Sequence, residues 1–261
     1  MSKKITGQLI GYGSFRKTVK RLYRLYDSSD RIANLRGKIS YSVLNKKSKK
    51  CVTISDYFRL SSMIFDSFPL NYLAYTIRPS QIEEEIEDLL NILRKRKISS
   101  MLEIGTYDGG TLFLFTKIIE PNGKIISLDL PGGEFGGGYK KNKRLFYTNF
   151  TQKNQRIFLI QDDSHSPTSL DKINSILNEK KLDFLFIDGD HSYIGIKQDY
   201  QIFNPLVKKG GIIAFHDICQ NPLNTNCEVN RFWNEIKLLH PHKEIIRNHN
   251  QRWAGIGVLY K

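Results

Sequence analysis

Residues 101–111 read Met101-Leu102-Glu103-Ile104-Gly105-Thr106-Tyr107-Asp108-Gly109-Gly110-Thr111. An apolar run through Ile98, Met101, Leu102 and Ile104 stops at Gly105; after Gly109 and Gly110, Thr111-Leu112-Phe113-Leu114-Phe115 resumes it. The pattern predicts a buried strand, a tight glycine turn and the start of a helix. Glycine suits places where backbone turns sharply or comes close to a ligand. A loop that opens a helix also offers unpaired N–H groups to polar ligand atoms. In a doubly wound sheet, this first strand–loop–helix is the usual edge of a nucleotide site. The glycine spacing does not fit G-x-G-x-x-G, and no Gly-Lys-Ser/Thr follows, so neither a dinucleotide fingerprint nor a P-loop is present.

Four more strands follow in the same style. After the turn Pro121-Asn122-Gly123, the second strand is Lys124-Ile125-Ile126-Ser127-Leu128-Asp129. The third, Arg156-Ile157-Phe158-Leu159-Ile160-Gln161, ends in Asp162-Asp163-Ser164-His165, with Ser164 or Ser166 as a helix N-cap before Pro167. The fourth runs Leu182-Asp183-Phe184-Leu185-Phe186-Ile187-Asp188 into Gly189-Asp190-His191-Ser192-Tyr193. A helix with contacts through Ile194, Ile196, Tyr200 and Phe203 is expected to end at Pro205–Gly211, before a fifth strand, Ile212-Ile213-Ala214-Phe215, that closes in His216-Asp217. The tail predicts a helix from Cys227 to His240 and two final strands, 244–247 and 253–260. Upstream, Ser80-Gln81-Ile82-Glu83 reads as a capping box for a helix to about Lys97, with Ile82, Ile86, Leu89, Leu90 and Leu93 on its apolar face. The glycine-rich stretch 131–139 predicts a loop beside the second strand end, either a closing lid or a plain connection.

The polar strand ends carry the chemistry. Two carboxylates and an imidazole directly after a central strand point to a site at the carboxyl edge of the sheet. Asp188 and Asp190 cannot both be desolvated without a cation or a proton. With the fourth and fifth strands as neighbours, Asp188, His216 and Asp217 gather oxygen and nitrogen donors around one point.

Glu103, Gly105, Gly109 and Gly110, with Asp129 at the next strand end, resemble motif I of the class I S-adenosylmethionine-dependent methyltransferases. The resemblance runs from about residue 81 to the C-terminus. It implies a Rossmann-like, mostly parallel α/β sheet with a closing antiparallel hairpin, and S-adenosylmethionine as cofactor. By that resemblance Gly105, Thr106, Tyr107 and Gly109 lie along the cofactor's methionine part. Glu103 orients that loop or the amino group, and Asp129 takes the ribose hydroxyls. Asp163 and Ser164 lie near the adenine, with Asp162 an alternative, and Asp188 borders the cofactor. The segment Asp188–Tyr193 with Phe215-His216-Asp217 is similar to the O-methyltransferase subgroup of the macrolide-sugar and cephalosporin hydroxylase-like proteins. Many of these hold a divalent cation, which carries over to Asp188, His216 and Asp217. A histidine at 216 makes a softer site than magnesium prefers, leaving Mg2+, Mn2+, iron or no metal open. His191 or His216 is the candidate general base, with Asp188 beside them, and His191 is preferred when a metal occupies His216. The implied reaction is O-methylation of a small molecule or glycan, a sugar hydroxyl favoured.

Charge separates the two parts of the chain. Of the net +14, residues 1–60 carry 15 Lys/Arg against 3 Asp/Glu, while the remaining 201 residues are nearly balanced. The expected division is therefore 1–80, a basic, aromatic-rich extension or lid, and 81–261, the methyltransferase domain. Phe15, Val19, Leu22 and Tyr26 mark an amphipathic helix, Lys46–Lys50 reads as an exposed loop, and Phe65, Phe68, Tyr72 and Tyr75 as a packing segment or substrate wall. Such a basic segment suits a solvated face first, then nucleic acid or an anionic membrane surface. An RNA or protein methyltransferase and a non-catalytic S-adenosylmethionine-binding subunit are the alternatives, and a homo-oligomer is compatible. Three cysteines without C-x-x-C spacing, no membrane-length apolar run and no apolar leader point to a reducing, cytoplasmic setting.

Overall fold

The computed structural model describes residues 30–63, 74–132, 143–222 and 225–261. Its framework is a seven-stranded sheet of order β3-β2-β1-β4-β5-β7-β6. The strands are β1 (Ser100–Ile104), β2 (Lys124–Asp129), β3 (Arg156–Gln161), β4 (Leu182–Ile187), β5 (Val207–Phe215), β6 (His242–Ile245) and β7 (Ile256–Tyr260). The first five run parallel, and β7 lies antiparallel between β5 and β6. The connections from β1 to β2 and from β3 to β4 leave on opposite sides. A crevice therefore opens at the carboxyl ends of β1 and β4.

The period of two along each strand divides the core into two layers. Met101, Phe184, Phe186, Ile212 and Ala214 face one layer; Leu102, Ile104, Leu185, Ile187, Ile213 and Phe215 face the other. The first layer is covered by α1 (Asp30–Ser48), α2 (Ile54–Met63), α3 (Glu83–Arg94), α4 (Gly110–Phe115) and α5 (Arg144–Thr148). The second is covered by α6 (Pro167–Leu177), α7 (Tyr193–Phe203) and α8 (Val229–Ile236). Phe115 meets both Phe184 and Phe186 edge-on, with centroids 5.4 and 5.3 Å away, a favoured aromatic geometry.

Several sequence expectations change in the structure. The helix after Ser80 starts at Glu83 with Ile82, not Ser80, as N-cap, and Ile82 has no polar side-chain atom to cap with; Gln81 reaches into the site instead. Its buried face is Ile86, Leu89, Leu90 and Leu93, joined by Glu85. Ile194 is exposed rather than a core contact. The segment Val207–Gly211 does not end α7: a 3-10 turn at Asn204–Leu206 does, and the segment opens β5. Between the pairs Leu182↔Val207 and Phe184↔Ile212 the register shifts, and Gly210 takes φ +77° in the bulge. Ser166 is the N-cap of α6, accepting from Thr168 N. The tail helix is shorter than expected, α8 being followed by a 3-10 turn at Lys237–Leu239.

Lys46 and Lys47 sit in the last turn of α1, not in a loop. That helix was not apparent from hydrophobic periodicity because its buried stripe is Ala33, Arg36, Ser40 and Leu44, half of it polar. Arg36 lies 4.4 Å from the Tyr75 ring centroid, and Ser40 Oγ accepts from Tyr75 N at 2.7 Å. The helix expected at 15–26, the aromatics Phe65, Phe68 and Tyr72, and the glycine-rich stretch from Gly133 to Tyr139 lie outside the described residues.

Candidate active site

A cavity of about 760 Å³ sits at the carboxyl ends of β1 to β5. It is lined by Gly105, Thr106, Tyr107, Asp129, Asp162, Asp163, Ser164, Asp188, His191, His216 and Asp217, and by Arg78, Leu130, His165 and Trp253 besides. The volume suits a drug-sized or nucleoside-sized ligand.

At the β1–β2 end the backbone geometry is set by glycine and carboxylates. Gly105 has φ +84°, and a Cβ there would stand 1.9 Å from the carbonyl oxygen of Asp188. Only glycine allows β1 to turn this close to the end of β4. Asp129 Oδ2 accepts from the N–H groups of Thr106 and Tyr107 at 2.9 and 2.6 Å. Tyr107 takes φ +47°, an unusual value for a residue with a side chain. Thr106 Oγ1 donates to Glu103 Oε2 and also contacts Ser127 Oγ, both at 2.7 Å. Glu103 is 0 % exposed. Burial raises its pKa well above the ordinary carboxyl value, only partly offset by the Thr106 bond.

Glu103 thus orients the loop from below rather than lining the cavity. Its Oε1 has no hydrogen-bond partner among the described residues. Gly109 does not line the cavity either. It caps α4 with φ +76°, and a Cβ there would meet the Tyr147 ring at 2.6 Å. Asp163 and Ser164 do reach the cavity. Asp162 is held by Lys172 and Thr168, and those two bonds lower its pKa to about 2.

At the β4–β5 end four ionisable side chains meet. Asp188 Oδ1 lies 3.1 Å from His216 Nδ1 and 3.4 Å from His191 Nε2. Asp217 Oδ2 lies 3.4 Å from each of the same two nitrogens. Gln81 Nε2 donates to Asp188 Oδ2 at 2.9 Å, and Ala254 N donates to Asp217 Oδ1 at 2.8 Å. Asp217 holds φ +60°, so its placement carries backbone strain.

Burial opposes ionisation of Asp188, but the His216 charge and the bonds from both histidines outweigh it and lower its pKa. Asp217 is held well below the usual carboxylate range against its own burial, His216 again being the strongest partner. Burial pulls the His216 pKa down, yet Asp188 and Asp217 together raise it well above the ordinary imidazole value. His191 is raised in the same way, mostly by Asp188. The two carboxylates and two imidazoles neutralise each other, which is what lets them share a desolvated position.

The sequence placed Asp188, His216 and Asp217 together, and the structure adds His191 to them. The three residues whose ligand atoms lie within 4.8 Å of one another are Asp188, His191 and Asp217. His216, 3 % exposed, lies beneath them with Nε2 unbonded among the described residues. Two carboxylates and an imidazole are a donor set that suits Mn2+ or Fe2+ and tolerates Mg2+. Sequence reasoning missed Gln81, Ser127 and Trp253. Each reaches the site through the fold, and none carries a local pattern that marks it.

Comparisons with known proteins bear on the fold and on residues 102–218. Residues 102–218 match a family model described as a methyltransferase domain. An O-methyltransferase from Bacillus cereus in complex with SAH aligns at 16% identity and TM-score 0.51, covering 86% of this chain and all of that one. CalS11, a TDP-rhamnose 3'-O-methyltransferase of calicheamicin biosynthesis, aligns at 15% identity and TM-score 0.50, over 78% of this chain and 92% of its own. MycE, in complex with Mg, SAH and mycinamycin VI, aligns at 15% identity and TM-score 0.50, over 81% and 55%.

The sheet is the fold these O-methyltransferases share, and the methyltransferase-domain match spans residues 102–218, a little under half of the chain. A curated relative, the uncharacterised protein R132 of Acanthamoeba polyphaga mimivirus, is 30% identical over 132 residues, 51% of this chain. The match spans 57% of that relative's length. No helix among the described residues is long and apolar enough to cross a membrane.

Proposed function

We propose that the protein is an S-adenosylmethionine-dependent O-methyltransferase acting on a hydroxyl of a small molecule or glycan, with a sugar favoured. The observation that carries this reading is the meeting of two strand-end systems in one cavity. The loop Gly105–Tyr107, braced by Asp129, borders Asp188, His191 and Asp217 directly. The sugar 3'-O-methyltransferase among the structural neighbours supports the choice of acceptor.

Methyl transfer from a sulfonium is an in-line displacement, so alignment of donor and acceptor supplies much of the rate. Gly105, Thr106 and Tyr107 bind the methionine part, Asp129 the ribose, and Asp163 and Ser164 the adenine side. His191, the more exposed of the two histidines, takes the proton from the acceptor hydroxyl, and Asp188 and Asp217 hold its ring. Asp188, Asp217 and His216 would hold a divalent cation such as Mg2+ or Mn2+, which when bound supplies Lewis acidity toward the acceptor oxygen and leaves His191 as the base. Residues 1–80 serve as a basic extension around the domain of residues 81–261, in a cytoplasmic protein.

Titration calorimetry with S-adenosylmethionine, first in EDTA and then with Mg2+ or Mn2+, tests the reading. Binding that Asp129→Ala weakens by roughly 30-fold or more is the expected result; no binding under any condition overturns it. His191→Ala is expected to lower methyl transfer by about 10²–10⁴-fold with cofactor affinity unchanged, and full activity in that variant would remove the base assignment.

A further inference from the structure

Among the described residues that line the cavity, Trp253 is the most exposed large hydrophobic side chain, ahead of Tyr107 and Leu130. It is 49 % exposed and lines the same cavity as Asp188, His191 and Asp217. The backbone around it is held tightly. Ala254 N donates to Asp217, which ties the residue next to Trp253 to the β4–β5 end of the cavity. Ala254 and Gly255 take φ +60° and +81°, and their carbonyls accept from Cys219 N and Ile218 N.

Below the loop, the buried carboxylate of Glu85 accepts from Arg247 N, from Gln251 Nε2 and from Gly255 N, at 2.7–2.8 Å. Gln251 Nε2 also donates to the carbonyl of Trp253 itself. A buried carboxylate thus braces three points of a loop whose one large exposed apolar group is the indole. Folding normally hides tryptophan, and the other tryptophan, Trp233, is 1 % exposed. Rigid backbone under an exposed aromatic ring lowers the entropy cost of stacking a ligand on it.

We propose that Trp253 is a specificity-determining platform that stacks on the apolar C–H face of a pyranose ring whose hydroxyls reach Asp217, Asp188 and His191. The proposal rests on the methyl-transfer reading and narrows its acceptor. Ionised carboxylates are acceptors only, so they pair with a ring that presents several hydroxyl donors. An aromatic acceptor would fill the platform but present fewer hydroxyl donors to the remaining lone pairs of those oxygens. Glu85 acts through the loop as a positioning residue.

The test uses the full chain saturated with S-adenosylhomocysteine, which calorimetry checks first. Tryptophan emission is then followed while TDP-rhamnose, methyl rhamnoside and methyl glucoside are titrated in, with catechol as the aromatic control. At least one sugar is expected to shift the wild-type emission. Trp253→Phe is expected to lose that signal, since only buried Trp233 remains, and Trp253→Ala to weaken sugar binding by calorimetry about tenfold or more. S-adenosylhomocysteine affinity should be equal in all three proteins.

An emission unmoved by every sugar, a response to catechol alone, or equal sugar affinity in Trp253→Ala overturns the platform while leaving the methyltransferase reading intact. Failure of the wild type to bind S-adenosylhomocysteine strikes the functional reading itself and is seen before any sugar is added.

Discussion

At the β1–β2 end of the cavity a carboxylate, Asp129, is matched by backbone N–H groups, whereas at the β4–β5 end Asp188 and Asp217 are matched by two imidazoles. The first joins two backbone N–H groups of the loop after β1 to a carboxylate at the end of the adjacent strand β2. The second brings together residues 188, 191, 216 and 217 from two strand ends, with Gln81 and Ala254 reaching in from far along the chain. Backbone dipoles suit the holding of an uncharged hydroxyl pair at a fixed place. Imidazoles paired with carboxylates suit the movement of a proton or the binding of a cation. In the proposed reaction the first end positions and the second reacts.

The harshest way to break the comparison is Gly105→Ala, since Gly105 is where the two ends touch. Its Cβ would sit 1.9 Å from the Asp188 carbonyl oxygen at φ +84°. The variant should lose about 4 kcal/mol of stability, read by urea denaturation, together with cofactor binding.

Asp129→Ala strikes the positioning end alone. Two buried N–H groups lose their acceptor, so S-adenosylhomocysteine affinity should fall roughly 30- to 150-fold by calorimetry, with a stability loss of about 2–3 kcal/mol. Asp217→Asn strikes the other end. It should leave cofactor affinity within about threefold but weaken Mn2+ binding, followed by electron paramagnetic resonance, at least about tenfold. Equal effects of these two variants on the cofactor would dissolve the division between the ends.

A buried charge away from the site sharpens the point by contrast. The Lys117 ammonium lies 4.1 Å above the Phe113 ring and 5.5 Å from that of Tyr57, and burial lowers its pKa to about 7. The folded value lies below the unfolded one of about 10.4. Between about pH 7 and pH 10 the unfolded chain therefore binds more protons, and stability rises with pH across that window. Below pH 7 both states are protonated and the cost of the buried charge is carried in full. Lys117→Met should flatten that rise and raise the melting temperature at pH 7. An unchanged slope in thermal melts at pH 7, 8 and 9 would show that the ammonium is solvated.

Where chemistry is local, it could be read from the chain. The E-x-G turn at Glu103–Gly105, the strands β2 and β3 to the residue, and the polar ends of β4 and β5 follow from short-range pattern, because strand burial and glycine turns leave a signature within a few residues. The β5 bulge was misread as a helix stop because Lys-Lys-Gly-Gly satisfies both patterns locally, and pairing with β4 decides between them. Helix α1 escaped because its buried stripe carries Arg36 and Ser40, whose partners Ala74 and Tyr75 lie more than 30 residues away.

The sequence by itself determined the sheet, the cofactor-type loop and the identities of Asp188, His191, His216 and Asp217. Only the tertiary structure decided that His191 joins the carboxylates, that Gln81 serves Asp188, and that Glu85 braces the loop that carries Trp253. The reason is range: backbone pattern is set by neighbours along the chain, whereas a buried polar group is satisfied by whatever donor the fold brings to it, and that donor can come from any distance in sequence.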